Sequence, residues 1–173
     1  MTVFKGVYTA LITPFKDGKV DDASFQALIE RQIENGVHGI IPVGTTGESA
    51  TVDDAEHWHL FDLAIEAANH RVPVLAGCGS NDTQAAIRHM QVAKKAGADG
   101  ALIVAPYYNK PSQAGLIAHF NALGNAVDMP IMVYNIPGRT NVDILPDTMA
   151  EIAKHPNVVA LKDSAGDPSR TAL

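Results

Sequence analysis

A lysine stands at the end of an apolar run, at the point where a buried parallel strand would end. Four apolar residues, Val158 to Leu161, precede Lys162, and the chain then turns polar at Asp163 and Ser164. Burying an ammonium group is costly, so this amine either reaches water along its flexible stem or takes part in chemistry. An amine that desolvation and a neighbouring cation keep neutral is a nucleophile toward carbonyl compounds. Lys162 is therefore the first candidate catalytic residue.

Three further polar segments follow apolar runs of the same kind. Gly44 to Ser49 reads GTTGES, Pro106 to Gln113 reads PYYNKPSQ, and Tyr134 to Thr140 reads YNIPGRT. The first segment is not a nucleotide-binding P-loop, because Glu48 stands where that motif requires a cation. It is either a plain tight turn or a turn whose N–H groups and threonine hydroxyls bind a small anion such as a carboxylate.

Tyr134 and Arg139 are two further candidates, and together with Lys162 they would form a site for a carbonyl acid. Tyr134 is either a core aromatic with a satisfied hydroxyl or, with Thr45, part of a proton relay. Arg139 is either a solvated loop charge or a guanidinium that grips a carboxylate. A Schiff base on Lys162 would accept electrons when a proton leaves the adjacent carbon, which requires an acid and a base nearby. The residue types thus predict Schiff-base chemistry.

The elements that must position these residues alternate between strand and helix. The apolar runs are continuous, which is typical of strands buried on both faces. Strand-helix alternation predicts an α/β fold with a parallel sheet, either doubly wound or a barrel, and both place their active sites at the carboxyl ends of the strands. The predicted strands are Val7–Thr13, Gly39–Val43, Val72–Gly77, Gly100–Ala105, Ile131–Asn135 and Val158–Lys162.

Helix boundaries can also be predicted from the sequence. The first helix is indicated by apolar residues on one face: Phe25, Leu28, Ile29 and Ile33. Gly36 stands where a left-handed C-terminal cap belongs. A second helix is expected to begin near Thr51, a third to run from about Asp82 to Gly97, and a fourth to follow Ser112.

Composition excludes several classes of protein. The 173 residues are 46% hydrophobic and 18% charged, which predicts a single domain covering 1–173. A net charge of −6 argues against a nucleic-acid partner. The N-terminal apolar stretch is broken by Thr13 and Pro14, so we expect neither a signal peptide nor a membrane span. The single cysteine, Cys78, suits the cytoplasm.

His57 and His59 are two residues apart, so they face different sides of a helix and form no metal pair.

The four polar segments, in this order and spacing, resemble the dihydrodipicolinate synthase branch of the pyruvate-dependent class I aldolase family. The likeness extends over the whole chain. It implies a TIM (β/α)8 barrel in which Lys162 holds pyruvate as an imine that attacks L-aspartate 4-semialdehyde, in the biosynthesis of lysine. It also implies a homotetramer built from two dimers, with no metal and no organic cofactor.

The resemblance further implies roles for individual residues. Thr45 and Thr46 would bind the pyruvate carboxylate, and Tyr134 would be the acid and base. Arg139 would hold the second substrate, and Gly44 would also belong to the substrate-binding set. Tyr108 resembles the family tyrosine that reaches across a dimer contact to complete a proton relay with Thr45 and Tyr134.

The resemblance also implies an effector pocket for lysine. Its possible members are Ser49, Ala50, His57, Asn81 and Tyr107. Ala85 stands where lysine-sensitive members carry a glutamate, and Asp54 stands at a histidine position. Without that glutamate, the amine of the effector loses a charged hydrogen-bond partner. We therefore expect weak or absent inhibition by lysine.

Two alternatives to the synthase are open at this point. N-acetylneuraminate lyase and the sugar-acid aldolases share the fold and the lysine, although the pair GTTGE and PGRT favours the synthase branch. A complete barrel has eight strands and about 250 residues, whereas this sequence predicts a barrel truncated after about the sixth strand. The alternative from another class is therefore an inactive fragment or pseudoenzyme that requires a complementary segment.

Overall fold

The computed structural model describes residues 4–172, with side chains up to Arg170. Strand β1 (Tyr8–Ala10) is followed by a hairpin of β2 (Phe15–Lys16) and β3 (Lys19–Val20), then by α1 (Asp22–Glu34) and β4 (Gly39–Ile41). A 3-10 turn at Thr45–Gly47 leads to α2 (Asp54–Ala68), β5 (Leu75–Gly77), α3 (Thr83–Ala96), β6 (Gly100–Val104) and α4 (Gln113–Ala126). The described chain ends with β7 (Ile131–Asn135), α5 (Pro137–Thr140), α6 (Pro146–Ile152), β8 (Val158–Asp163) and a 3-10 turn at Pro168–Ala172.

Six of these strands are parallel and lie side by side in chain order. Strand β1 pairs with β4, and β5, β6, β7 and β8 pair in sequence. A parallel bridge between Ile40 and Val74 joins the two groups. In a doubly wound sheet the strand order reverses part-way, whereas here it runs in one direction, as the wall of a barrel does. All six predicted strands are therefore present.

Apolar side chains pack on both faces of this wall. The outer face packs against the helices in a large cluster that includes Phe25, Phe61 and Phe120, all fully buried. The inner face carries a smaller cluster: Ile41, Leu75, Leu102 and Tyr134. Because successive residues of a strand point to opposite faces, neighbours in sequence are divided between these two environments.

The helix termini agree with the sequence signals in most places. Asp82 and Ser112 accept hydrogen bonds at the starts of α3 and α4, and Gly36 and Gly97 adopt the expected positive φ angles of 81° and 105°. The predicted start of α2 near Thr51 is wrong by three residues. The side chain of Asp53 accepts from the Glu56 N–H and the Glu56 carboxylate accepts from the Asp53 N–H, so this capping box fixes the start at Asp54.

Some elements were not predicted from the sequence. The hairpin turns at Asp17 and Gly18, whose φ angles of 53° and 74° fit the Asp-Gly turn that joins tight antiparallel strands. Helix α6 begins at Pro146, a residue favoured at the first helical position. Strand β1 is shorter than predicted. In residues 4–172 no helix is long and apolar enough to cross a membrane.

Candidate active site

Lys162 and Tyr134 lie opposite each other on neighbouring strands. They are paired in the register of β7 and β8, and the Lys162 Nζ atom lies 4.1 Å from the centroid of the Tyr134 ring. Tyr134 is only 7% exposed and belongs to the inner apolar cluster. The lysine amine is therefore held against the phenol on the inner face of the wall, as a nucleophile next to an acid-base group would be.

The opposite face of the same two strands carries a polar cluster that we call the Asn135 cluster: Asn135, Asp143, Asp163 and Arg170. The Asn135 amide nitrogen donates to Asp143 at 2.9 Å and to Asp163 at 3.1 Å. Arg170 donates two hydrogen bonds to Asp143, at 2.7 and 3.0 Å. These bonds from Arg170, aided by the bond from Asn135, hold the pKa of Asp143 below its usual value. The cluster ties the ends of β7 and β8 to the segments that follow them.

The GTTGES segment forms a tight turn that neighbouring strands hold in place. Val43 has a φ of 52°, which is rare for a β-branched residue, and its carbonyl packs against Gly77. A Cβ added at Gly77 would lie 2.2 Å from the Val43 oxygen. The buried Thr13 hydroxyl donates to the Gly47 oxygen at 2.6 Å. The turn is therefore anchored on one side by the segment that follows β1 and on the other by β5.

Thr45 and Thr46 present free polar groups from this turn. Both side chains are exposed, and within residues 4–172 neither their hydroxyls nor their backbone N–H groups donate a hydrogen bond. Gly44 lies in extended backbone, and its oxygen accepts from the N–H groups of Gly47 and Ser49. Unpaired donors on neighbouring residues suit a small anion such as a carboxylate.

An open cavity of about 350 Å³ adjoins the turn. Its polar side includes Thr45, Tyr107 and Arg139, and its apolar side includes Val104 and Ile136. The structure thus brings Thr45 and Arg139 to one cavity, although they are 94 positions apart in the sequence. A cation beside hydroxyl groups in an apolar pocket suits an acid-bearing ligand.

Tyr108 stands apart from the other predicted catalytic residues. Its side chain is 88% exposed and its φ angle is 71°. Within the described chain no hydrogen bond joins the hydroxyls of Thr45, Tyr108 and Tyr134. The role of Tyr108 in a proton relay therefore stays a prediction.

The possible effector residues are divided between two environments. Ala50 and Tyr107 line the cavity with Thr45, whereas His57 is only 3% exposed and lies outside the lining. The His57 Nε2 donates to the Gly77 oxygen at 2.8 Å, and the centroid of its ring lies 4.4 Å from that of the His89 ring, with the two planes tilted by 41°. Burial lowers the pKa of His57 from 6.5 to about 4. Ser49 donates its N–H to the Gly44 oxygen, and the Asn81 oxygen accepts from Asn109.

Cys78, His57 and His59 lie outside the proposed chemistry. Cys78 is fully buried, and burial raises the pKa of its thiol. His57 and His59 face different sides of α2, since His59 lies at the surface and contacts Asp22. Among the side chains that the structure describes, no group of three His, Cys, Asp or Glu residues is arranged to hold a metal ion.

The residues that hold the site in place were not predicted from the sequence. Thr13 and Asn135 are buried polar residues that hold functional segments in place, and Asp143 and Arg170 complete the Asn135 cluster. A signal existed for Asn135, because it directly follows Tyr134 in YNIPGRT and a polar side chain at a strand end needs a partner. The partners lie 8 to 28 positions away, so only the fold reveals them.

Comparison of the sequence with known proteins shows which family it matches. The model of the dihydrodipicolinate synthetase family matches residues 3–172. The chain belongs to that family. The 4-hydroxy-tetrahydrodipicolinate synthase of Sphingopyxis alaskensis is 55% identical over 171 residues, which are 99% of this chain and 59% of that relative.

Solved structures of the dihydrodipicolinate synthetase family share the fold. The synthase of Methylacidiphilum fumariolicum superposes with a TM-score of 0.95 at 45% identity, over 98% of this chain and 57% of that one. The chloride-inhibited synthase of Acinetobacter baumannii, complexed with pyruvate, superposes with a TM-score of 0.93 at 47% identity, over 95% and 57%. These superpositions confirm the prediction of a barrel fold, of which this chain contains about six strands. The chain spans less than two thirds of the length of these relatives.

Proposed function

We propose that the protein is a Schiff-base lyase of the aldolase type, which condenses pyruvate with L-aspartate 4-semialdehyde to give 4-hydroxy-tetrahydrodipicolinate. One observation carries the proposal: the Lys162 Nζ lies 4.1 Å from the Tyr134 ring centroid, on the inner face of the barrel wall. The name of the S. alaskensis relative and the pyruvate in the A. baumannii structure support the choice of substrates. Such a reaction belongs to lysine biosynthesis.

The chemistry begins with the amine of Lys162. Its lone pair attacks the keto carbon of pyruvate, and loss of water leaves a positively charged imine. A proton then leaves the neighbouring methyl carbon, the C–H electrons form a carbon–carbon double bond, and the π electrons of the imine move onto its nitrogen to give an enamine. The enamine carbon attacks the aldehyde carbon of the second substrate, the aldehyde oxygen takes up a proton, and the imine to Lys162 is restored. The α-amine of the second substrate then attacks the imine carbon, which closes the ring and releases the Lys162 amine. Tyr134, adjacent to the amine, is the group that we expect to transfer protons in these steps.

The other site residues bind the two acids. Thr45 and Thr46 offer free N–H and hydroxyl donors to the pyruvate carboxylate. Arg139 shares the cavity with Thr45, and we expect its guanidinium to pair with the carboxylate of the second substrate. We propose that the exposed Tyr108 completes the proton relay from a neighbouring subunit, in a homotetramer built from two dimers.

The proposal is tested by trapping the imine on the natural full-length protein. The protein is incubated with pyruvate, reduced with borohydride and digested, and the modified peptide is mapped by mass spectrometry. We expect one adduct, on Lys162, and none in a Lys162→Arg variant, in which the guanidinium cannot form the imine. Lys154, which is exposed and paired with Glu151, is the internal control and stays unmodified.

A second measurement decides the aldehyde. Turnover with L-aspartate 4-semialdehyde is compared with turnover with sugar aldehydes of the N-acetylneuraminate lyase type. We expect the semialdehyde to be preferred, and the Arg139→Ala variant to raise its KM more than that of pyruvate. An unmodified Lys162 in folded protein would reject the reaction class, and a preference for a sugar aldehyde would reject the synthase.

A further inference from the structure

Asn135 occupies an unusual position beside the proposed reaction centre. It directly follows Tyr134 on β7 and is paired in register with Asp163, which directly follows Lys162 on β8. Its side chain is 1% exposed, on the face of the strands that points away from the amine. An asparagine buried to this extent must satisfy its amide or lose stability.

Every polar group of this amide is used. The nitrogen donates to Asp143 and to Asp163, and the side-chain oxygen accepts from the Ile144 N–H at 3.1 Å. The backbone oxygen of Asn135 accepts from the Ser164 N–H at 2.8 Å. One residue therefore connects the end of β7, the end of β8 and the segment that leads into α6.

The connection is needed because the strand pairing is irregular. The register between β7 and β8 shifts between Ile131 and Met132, so the amino ends of the strands do not define the pairing at the carboxyl ends. A slip of one residue would move a side chain to the other face of the sheet. Such a slip would carry the Lys162 amine away from the Tyr134 ring.

The outer part of the Asn135 cluster holds its acidic members in place. Arg170 donates two hydrogen bonds to Asp143 and one to the Ile144 oxygen at 2.9 Å. Asp163 also accepts from the Ala165 N–H at 3.0 Å. Contacts other than Asn135 therefore orient both carboxylates. Because the acceptors are charged, their hydrogen bonds with Asn135 are strong.

We propose that Asn135 is a positioning residue, whose hydrogen bond to Asp163 across β7 and β8 holds the Lys162 amine against Tyr134. The inference rests on the proposed function, since it concerns the reaction of Lys162 with a keto acid. Asn135 contacts neither the amine nor the phenol ring, and acts through the backbone register of the two strands.

The test measures imine trapping in Asn135→Ala and wild-type full-length protein over a range of pyruvate concentrations. We expect the trapping rate at saturating pyruvate to fall about 100-fold, as expected for a displacement of about 1 Å. The half-saturating concentration should change much less, because Thr45 and Thr46 lie on a different segment.

Asn157→Ala is the matched control. Asn157 is a part-buried asparagine at the amino end of β8, and its amide donates to the oxygens of Gly124 and Val127. Its loss should lower the melting temperature in the same way but leave the trapping rate within about twofold. Equal losses of rate in the two variants, or an unchanged rate in Asn135→Ala, would overturn the proposal.

A second variant covers the case in which Asn135→Ala does not fold. Asp163→Ala keeps the contacts of Asn135 with Asp143 and Ile144 and removes the link to β8. It also removes the bond from the Ala165 N–H and the ion pair with Arg170, both of which lie on the side of β8 away from Lys162. We expect its trapping rate to fall about tenfold, the equivalent of one lost hydrogen bond, and an unchanged rate in folded Asp163→Ala would reject the role of the link.

Failure of the proposed function gives a different pattern. If wild-type protein forms no pyruvate adduct, that function is wrong, and the positioning role is decided without pyruvate by the rate at which formaldehyde and borohydride methylate Lys162. We expect Asn135→Ala, but not Asn157→Ala, to change this rate several-fold relative to Lys154. Equal rates in all three proteins would then reject the positioning role.

Discussion

At the scale of single residues, the contact between Lys162 and Tyr134 combines packing with proposed chemistry. We expect Tyr134→Phe to keep the ring beside the amine and the inner cluster intact, while removing the only acid-base group of that side chain. Imine trapping should slow by about 10² to 10⁴, the usual contribution of a general acid or base, with little change in melting temperature. The measurement is the trapping rate in protein shown to be folded by circular dichroism.

Tyr8→Phe is the control for this prediction. Tyr8 also packs against the inner cluster, but it lies on β1, near the amino end of the barrel wall. Its loss of a hydroxyl should leave trapping unchanged. A Tyr134→Phe protein that traps pyruvate at the wild-type rate would show that another group transfers the proton.

The buried histidines link stability to pH. Burial lowers the pKa values of His57 and His119 from 6.5 to about 4, so both rings are neutral in the folded protein at pH 7. His57 faces His89, Asp54 and the Gly77 oxygen. In the unfolded chain each ring takes up a proton near pH 6.5. The stabilisation is therefore complete above pH 6.5 and is lost as the pH falls toward 4.

We expect this loss to amount to about 3 kcal/mol for each ring at most, seen as a fall in the urea midpoint between pH 7 and pH 4. His57→Gln keeps a donor for the Gly77 oxygen and should flatten the curve. His59→Gln changes an exposed histidine on the same helix and should not. A His57→Gln curve as steep as that of the wild type would contradict the assignment.

At the scale of elements, the crossing of β5 beneath the GTTGES turn leaves no space for a side chain. A Cβ at Gly77 would lie 2.2 Å from the Val43 oxygen and 2.8 Å from the Gly44 nitrogen, and both are backbone atoms that cannot rotate away. We expect Gly77→Ala to destabilise the protein by about 1–3 kcal/mol, measured by urea unfolding. It should also weaken pyruvate binding, because the turn must move.

Gly138→Ala is the matched control for Gly77. Gly138 lies in α5 with nothing within 4 Å of an added Cβ, and a methyl group there restricts the unfolded chain. The expected effect is a gain of about 0.4–1 kcal/mol. A loss as large as that in Gly77→Ala would mean that the close approach at β5 is not the cause.

Elements with local signals could be predicted, and contacts between distant segments could not. The apolar run of β6 and the cap at Asp82 depend only on residues that are close in the sequence, so the sequence predicts them. The start of α2 was missed because Thr51 and Asp53 are both good caps, and only Glu56 distinguishes them. The Thr13 hydrogen bond to Gly47 depends on the fold, since 34 positions separate the two residues.

The candidate site shows the same division. Lys162 and Tyr134 were predicted from residue type and strand position, and the structure places them in contact. The Asn135 cluster depends on register, which the sequence of a single strand does not determine. Arg170 follows β8 in a 3-10 turn, and its place beside Asp143 is set by the path of the chain around the strand ends.

At the scale of the whole molecule, the strand order leaves two edges. Within residues 4–172, β1 pairs on one side with β4 and β8 pairs on one side with β7, so each presents backbone N–H and carbonyl groups on its other side. Leu161 of β8 is 39% exposed beside one edge. Unpaired, apolar edge strands associate with other chains, which is the physical basis of the fragment alternative for these 173 residues.

This edge leads to a prediction for residues 1–173 produced alone. We expect the chain to associate in a concentration-dependent way, and Leu161→Lys to reduce that association, because a charge on an edge strand opposes pairing with a second strand. Light scattering after size-exclusion chromatography measures the effect. Leu145→Lys is the control, since Leu145 is 47% exposed but lies before α6 and outside the edge. A compact monomer that melts cooperatively and traps pyruvate on Lys162 would contradict the prediction, because the six-stranded wall would then be stable and active with both edges open.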